Sequence, residues 1–192
     1  MKKILYVHGL ASSGASNTAK TLQRLFPKFK VIAPDLPINP LEAHHLLQCI
    51  IMQEKPNVIV GTSMGGMFAQ SLRGKKILVN PAFHVSGSMR KNIGVQEFLN
   101  SREDGIQTFE ITEELCNAYE QFEATQFLDT NEWESQRTWG LFGTNDTLVN
   151  CQEEYKKYYT NFLLFEGEHR LTPEVIENVV APLIAEIIMD TQ

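Results

Sequence analysis

Cysteine is scarce. The 192 residues hold three, Cys49, Cys116 and Cys151, far apart and without a Cys-x-x-Cys pair. An odd, scattered set supports neither a disulfide framework nor a zinc site; no other metal-ligand spacing stands out, and no metal is expected. Reduced thiols in a cytoplasmic protein are the expectation. Long uninterrupted apolar runs are missing too. The most apolar late stretch, Val175 to Met189, carries Glu177, Asn178 and Glu186, so it reads as a buried helix and not a membrane span. Met1-Lys2-Lys3 is followed by only four apolar residues before His8-Gly9, too few for the apolar region of a signal peptide. Positive charge is sparse and scattered, and the formal net charge of -6 argues against a nucleic-acid surface. Neither Gly-x-x-x-x-Gly-Lys-Ser/Thr nor Gly-x-Gly-x-x-Gly occurs, so nucleotide binding has no support and no cofactor is expected.

What remains is an acidic chain, 43% hydrophobic, of a length that suits one domain able to bury its core without staples. Short β-branched runs alternate with helical patterns. Ile4 to Val7 predicts a strand buried on both faces, Thr18 to Phe26 a helix stopped by Pro27, and Phe29 to Ala33 a second strand. A proline-stiffened loop, Pro34 to Pro40, leads into a helix from Leu41 to Glu54. Strands follow at Asn57 to Val60, Lys76 to Val79, Thr138 to Phe142 and Phe162 to Phe165, with helices at Met64 to Arg73 and Cys151 to Tyr159. Thr172 and Pro173 open a last helix that Pro182 is expected to bend. From about 83 to 137 the alternation stops. Apart from a helical stripe with Leu115, Ala118, Tyr119 and Phe122, that segment reads as polar and irregular, an inserted lid. The expectation is one α/β domain over residues 1–192: a mostly parallel sheet of about six strands, helices on both faces, and the lid insertion.

In such a sheet the site lies at the C-terminal ends of the strands. Every chemically suggestive group follows one. Gly61-Thr62-Ser63-Met64-Gly65 sits behind Val58-Ile59-Val60 and ahead of a helix, where a tight turn can present a serine hydroxyl to a base. Helix capping is the competing role for Ser63, but it explains neither the flanking glycines nor the distant partners. His169, after the sixth strand, is the candidate general base, preferred over His8, His44, His45 and His84 because a nucleophile–acid–histidine chain order suits this fold. Asp146, in the turn after the fifth strand, is the candidate orienting acid, with capping of the next helix as its competing role. An attacking serine also needs donors for the developing oxyanion. Those expected are the backbone N–H groups of Met64 and, after the first strand, Leu10. Met67, Phe83, Tyr119 and Phe122 are candidates for an apolar acyl pocket, set against the commoner outcome that a helical aromatic stripe is plain core.

Taken together, His8-Gly9 with Ser12-Ser13, Asp35-Leu36-Pro37, Gly61 to Gly66, Val79-Asn80-Pro81-Ala82, Asn145-Asp146 and Gly167-Glu168-His169 resemble the YqiA-like esterases of the α/β-hydrolase superfamily. The resemblance implies a trimmed hydrolase sheet, a triad of Ser63, Asp146 and His169, and activity on small-molecule acyl esters or thioesters. A hydrolase-fold protein that binds a small ligand without turning it over is the alternative.

Overall fold

The computed structural model describes residues 1–189. The first half of the chain alternates strand and helix: β1 (Lys3–Val7), α1 (Asn17–Leu25), β2 (Lys30–Ile32), α2 (Pro40–Glu54), β3 (Val58–Thr62), α3 (Met64–Gln70) and β4 (Lys76–Val79). Local chemistry sets the helix ends. Ser16 accepts a hydrogen bond from the Ala19 N–H at the start of α1, and the Asn39 side chain accepts two at the start of α2, with Pro40 preset for the first turn. The inserted segment holds α4 (Ser86–Arg90), β5 (Gly94–Glu97), β6 (Thr108–Ile111), α5 (Glu113–Thr125) and α6 (Glu132–Ser135). The alternation then resumes with β7 (Thr138–Gly143), α7 (Gln152–Tyr155) and β8 (Asn161–Phe165). The last helix runs as α8 (Pro173–Val175), a π-helical segment (Ile176–Val180) and α9 (Ala181–Met189).

Six strands form one parallel sheet in the order β2-β1-β3-β4-β7-β8. From β1 the chain steps out to β2, then crosses back over β1 to β3 and continues outward. The reversal leaves a crevice at the C-terminal ends of β1 and β3, where ligands of open α/β sheets bind. Strand alternation divides the core into two layers. Ile4 and Tyr6 face a cluster with Ala19 and Leu22 of α1 and Val180, Ile184 and Ile187 of the last helix. Leu5 and Val7 face Leu47 of α2, Phe68 of α3 and Tyr119 of α5.

The six sheet strands are those expected from the sequence, each within two residues at its ends. Two helices are shorter than expected: α3 ends at Gln70, and α7 is a single turn. The bend expected at Pro182 takes the form of the preceding π segment. There the Ala181 N–H reaches the Ile176 carbonyl, a wider turn that admits the proline ring one residue later.

Residues 83–137 are more ordered than an irregular lid. The sequence gives no sign of the antiparallel hairpin β5–β6, because its strands are four residues each and a long loop, with no tight-turn signal, separates them. Helix α5 belongs to the core: Cys116, Tyr119 and Phe122 are buried among Leu47 and Phe68. The hairpin adds Phe109 and Ile111 of β6 to the same core, and its loop is tethered. The Leu99 N–H donates to the Ala11 carbonyl at 2.7 Å, the Ser13 hydroxyl donates to the Ser101 carbonyl at 2.7 Å, and Asp35 accepts from the Glu103 N–H at 2.7 Å. Among the described residues no helix is long and apolar enough to cross a membrane.

Candidate active site

Ser63 occupies the single residue between β3 and α3, with φ 55° and ψ −124°. A non-glycine residue there is strained, and the surrounding structure must hold it. Backbone hydrogen bonds do so: the Ser63 N–H donates to the Val79 carbonyl at 3.1 Å, and the Ser63 carbonyl accepts from the N–H groups of Ala82 (3.0 Å) and Gly66 (2.8 Å). The side chain makes no capping bond, so the competing role of helix cap is not the one it plays. Gly65 is what lets α3 start this close to β1, since a Cβ there would overlap the carbonyl oxygen of Val7 and lie 2.6 Å from that of His8. Both neighbours are backbone and cannot swing aside. Gly65→Ala is therefore expected to cost about 1–3 kcal/mol of stability, read as a lower urea midpoint at unchanged slope.

The three candidates from distant parts of the sequence meet. The Ser63 hydroxyl lies 2.9 Å from His169 Nε2, and His169 Nδ1 lies 2.7 Å from Asp146 Oδ2. With Nδ1–H donating to the carboxylate, Nε2 is left as an acceptor for the serine proton. Asp146 is held from behind: its Oδ1 accepts the N–H groups of Leu148 (2.9 Å) and Val149 (3.0 Å). Its side chain is 3% exposed and that of His169 14%, so the pair works in a medium of low polarity where such bonds strengthen.

The other histidines are engaged elsewhere. His84 contacts Glu154 at 2.8 Å on the surface, and His45 lies 3.7 Å from Cys49. The ring of His44 meets Phe122 edge-on, and burial pushes its pKa down. His8 is buried, which also lowers its pKa; its Nε2 accepts the Leu36 N–H at 3.2 Å, so Nδ1–H donates to the Gly9 carbonyl at 2.8 Å. That carbonyl also accepts from the Ser12 N–H at 3.3 Å. In a trans peptide the N–H of Leu10 then points the opposite way. Gly9 runs beside the serine, since a Cβ on it would sit 3.2 Å from Ser63 Cβ. Among the described residues neither the Leu10 nor the Met64 N–H has a protein acceptor.

The sequence model of the uncharacterised protein family UPF0227 matches residues 3–181, nearly the whole chain. The chain belongs to that family. It is the YqiA-like esterase family that the sequence motifs resemble. Solved structures place the UPF0227 chain in the α/β-hydrolase fold. Est1E from Butyrivibrio proteoclasticus superimposes with a TM-score of 0.65 at 14% identity, covering 98% of this chain and 89% of that one. Alpha/beta hydrolase domain-containing protein 10 from mouse gives 0.63 at 14% identity, covering 96% and 90%. A pyrethroid hydrolase from Sphingobium faniae gives 0.63 at 13% identity, covering 99% and 98%. At these identities the likeness is one of fold.

The four residues proposed as an acyl pocket lie inside this UPF0227 fold. Met67, Phe83, Tyr119 and Phe122 are buried in the core, with Met67, Phe83 and Tyr119 at 0% exposure. The stripe was legible, but the face it turns to was not: α5 folds onto α2 and α3, and the Tyr119 hydroxyl is used up donating to the Ile38 carbonyl at 3.0 Å. Instead, the surface next to His169 is an open hollow of about 350 Å³ lined by Asn145, Thr147, Leu148, Glu168, His169 and Arg170. Leu148 and Leu99 are exposed apolar side chains, one two residues beyond Asp146, the other tied to Ala11 beside the Leu10 peptide. The residue patterns point to no role for Asn80, a buried amide just past β4 that bonds to the backbone of Glu168 and His169 and to Gly143, the last residue of β7.

Proposed function

We propose that this protein is a serine hydrolase that cleaves carboxylic ester or thioester bonds of small acyl substrates through an acyl-enzyme on Ser63. The single observation that supports this most is the unbroken chain of two hydrogen bonds from Ser63 Oγ through His169 to Asp146, at 2.9 and 2.7 Å. In the first step the Ser63 proton passes to His169 Nε2 as Oγ attacks the carbonyl carbon, and the imidazolium is stabilised by Asp146. The tetrahedral oxyanion is received by the N–H groups of Met64 and Leu10. His169 then hands its proton to the departing alkoxide or thiolate, and the acyl group stays on Oγ. Water loses a proton to the same nitrogen, attacks the acyl carbon and releases the acid, and Ser63 recovers its proton. No external oxidant, metal or cofactor enters these steps.

The hollow beside His169 is open and carries the exposed Leu148, which supports an acyl group lying along the surface and not in a closed tunnel. Such a site should tolerate a range of chain lengths. A panel of p-nitrophenyl esters and acyl-thioesters from acetyl to palmitoyl tests the reading: turnover is expected across the panel, with a shallow dependence on length, and is lost in His169→Ala. Turnover that persists in His169→Ala, or its absence with every ester and thioester, would count against it.

A further inference from the structure

Segment 79–82 bonds to Ser63, to the backbone of His169 and to Gly143, three residues before Asp146. Its backbone grips the nucleophile: the Val79 carbonyl accepts the Ser63 N–H and the Ala82 N–H donates to the Ser63 carbonyl, at 3.1 and 3.0 Å. Its one polar side chain reaches the backbone that carries His169 and the end of the strand that leads to Asp146. Asn80 Nδ2 donates to the carbonyls of Glu168 (3.0 Å) and His169 (3.2 Å), and Oδ1 accepts the Gly143 N–H at 2.7 Å. The amide orientation is fixed by this pattern, because only nitrogen can serve two carbonyls and only oxygen can serve an N–H. Asn80 is 3% exposed and sits at φ 43°, a left-handed conformation that asparagine tolerates better than most residues.

The geometry of those bonds has a specific consequence. The Glu168 and His169 carbonyls belong to the two peptide planes on either side of the His169 Cα. Anchoring both fixes φ and ψ of that residue, and with them the direction in which its Cβ leaves the backbone. The third bond ties down Gly143, the last residue of β7, three positions before Asp146. We propose that Asn80 is a positioning residue for the hydrolytic reaction, setting the imidazole of His169 against Ser63 and Asp146 by clamping the backbone that carries it. The proposal rests on the serine-hydrolase reading above.

Asn80→Asp is the sharpest test. Aspartate has the same shape, accepts the left-handed backbone and can still take the Gly143 N–H, but it cannot donate to the two carbonyls. With p-nitrophenyl acetate as substrate, kcat is expected to fall by about 10²-fold, the order of loss that follows when reacting groups are misplaced by about 1 Å. KM should move far less, because no substrate contact is removed. The far-downfield proton resonance of His169 Nδ1–H, visible by NMR without substrate, should broaden or vanish, and the melting midpoint should fall, because the buried carboxylate faces two carbonyl oxygens. Asn80→Ser, too short to bridge to both carbonyls, should behave alike.

Parental kcat together with an unchanged downfield resonance in Asn80→Asp would overturn the proposal, and so would unfolding of the uncharged Asn80→Ser, since Asn80 would then be structural only. If Ser63→Ala hydrolyses the ester as fast as the parent, the hydrolase reading fails; the NMR resonance still reports whether Asn80 sets the His169–Asp146 bond.

Discussion

Ser63→Ala is expected to remove hydrolytic turnover almost completely, lowering kcat by about 10⁴–10⁶-fold, as losses of a triad nucleophile do elsewhere. The expectation follows from the division of labour at the site. In the proposed mechanism the substitution leaves the oxyanion donors in place, so a residual rate above that of water is expected, but no atom is left to carry the acyl group. The fold should tolerate the change. The Ser63 side chain makes no capping bond, and the bonds that hold the elbow come from its backbone. Steady-state kinetics on a short ester, paired with a melting curve close to that of the parent, would check both parts.

Asp146→Asn is expected to lower kcat by about 10⁴-fold while leaving KM and stability nearly unchanged. The reason lies in how Asp146 is held. Its Oδ1 is committed to the N–H groups of Leu148 and Val149, and an asparagine must keep its oxygen there to satisfy them. The amide NH₂ is then forced toward His169 Nδ1, which can only accept from it. The ring flips to the Nε2–H tautomer and points a donor at Ser63 Oγ, so the base has nowhere to put the serine proton. Asp146→Ala, which loses the two loop bonds as well, should cost stability in addition. Comparing the two variants separates the tautomer effect from loop anchoring.

The parts of the site that follow buried strands were legible from the sequence. Ile4 to Val7, Val58 to Val60, Thr138 to Phe142 and Phe162 to Phe165 are short apolar runs with no helical period, and each hands the chain to a turn at one rim of a parallel sheet. Ser63, Asp146 and His169 could be placed together because topology, and not contact, brings them there. The hairpin was not legible, since four-residue strands such as Thr108–Ile111 carry too little alternation to stand out. Tyr119 and Phe122 illustrate a different limit. Periodicity reveals that a helix has an apolar face but not whether core or ligand covers it, and here α2 and α3 do. Asn80 left no periodic signal at all, because its work is done by three hydrogen bonds to backbone far away in the chain.

The proposed hydrolysis depends on Ser63 being a nucleophile activated by His169. Incubation with a fluorophosphonate, followed by peptide mass analysis, measures that most directly. One phosphonate per chain, on the peptide containing Ser63, is expected, with labelling absent in Ser63→Ala and strongly slowed in His169→Ala. An unlabelled native protein, or an adduct that persists in Ser63→Ala, would contradict it.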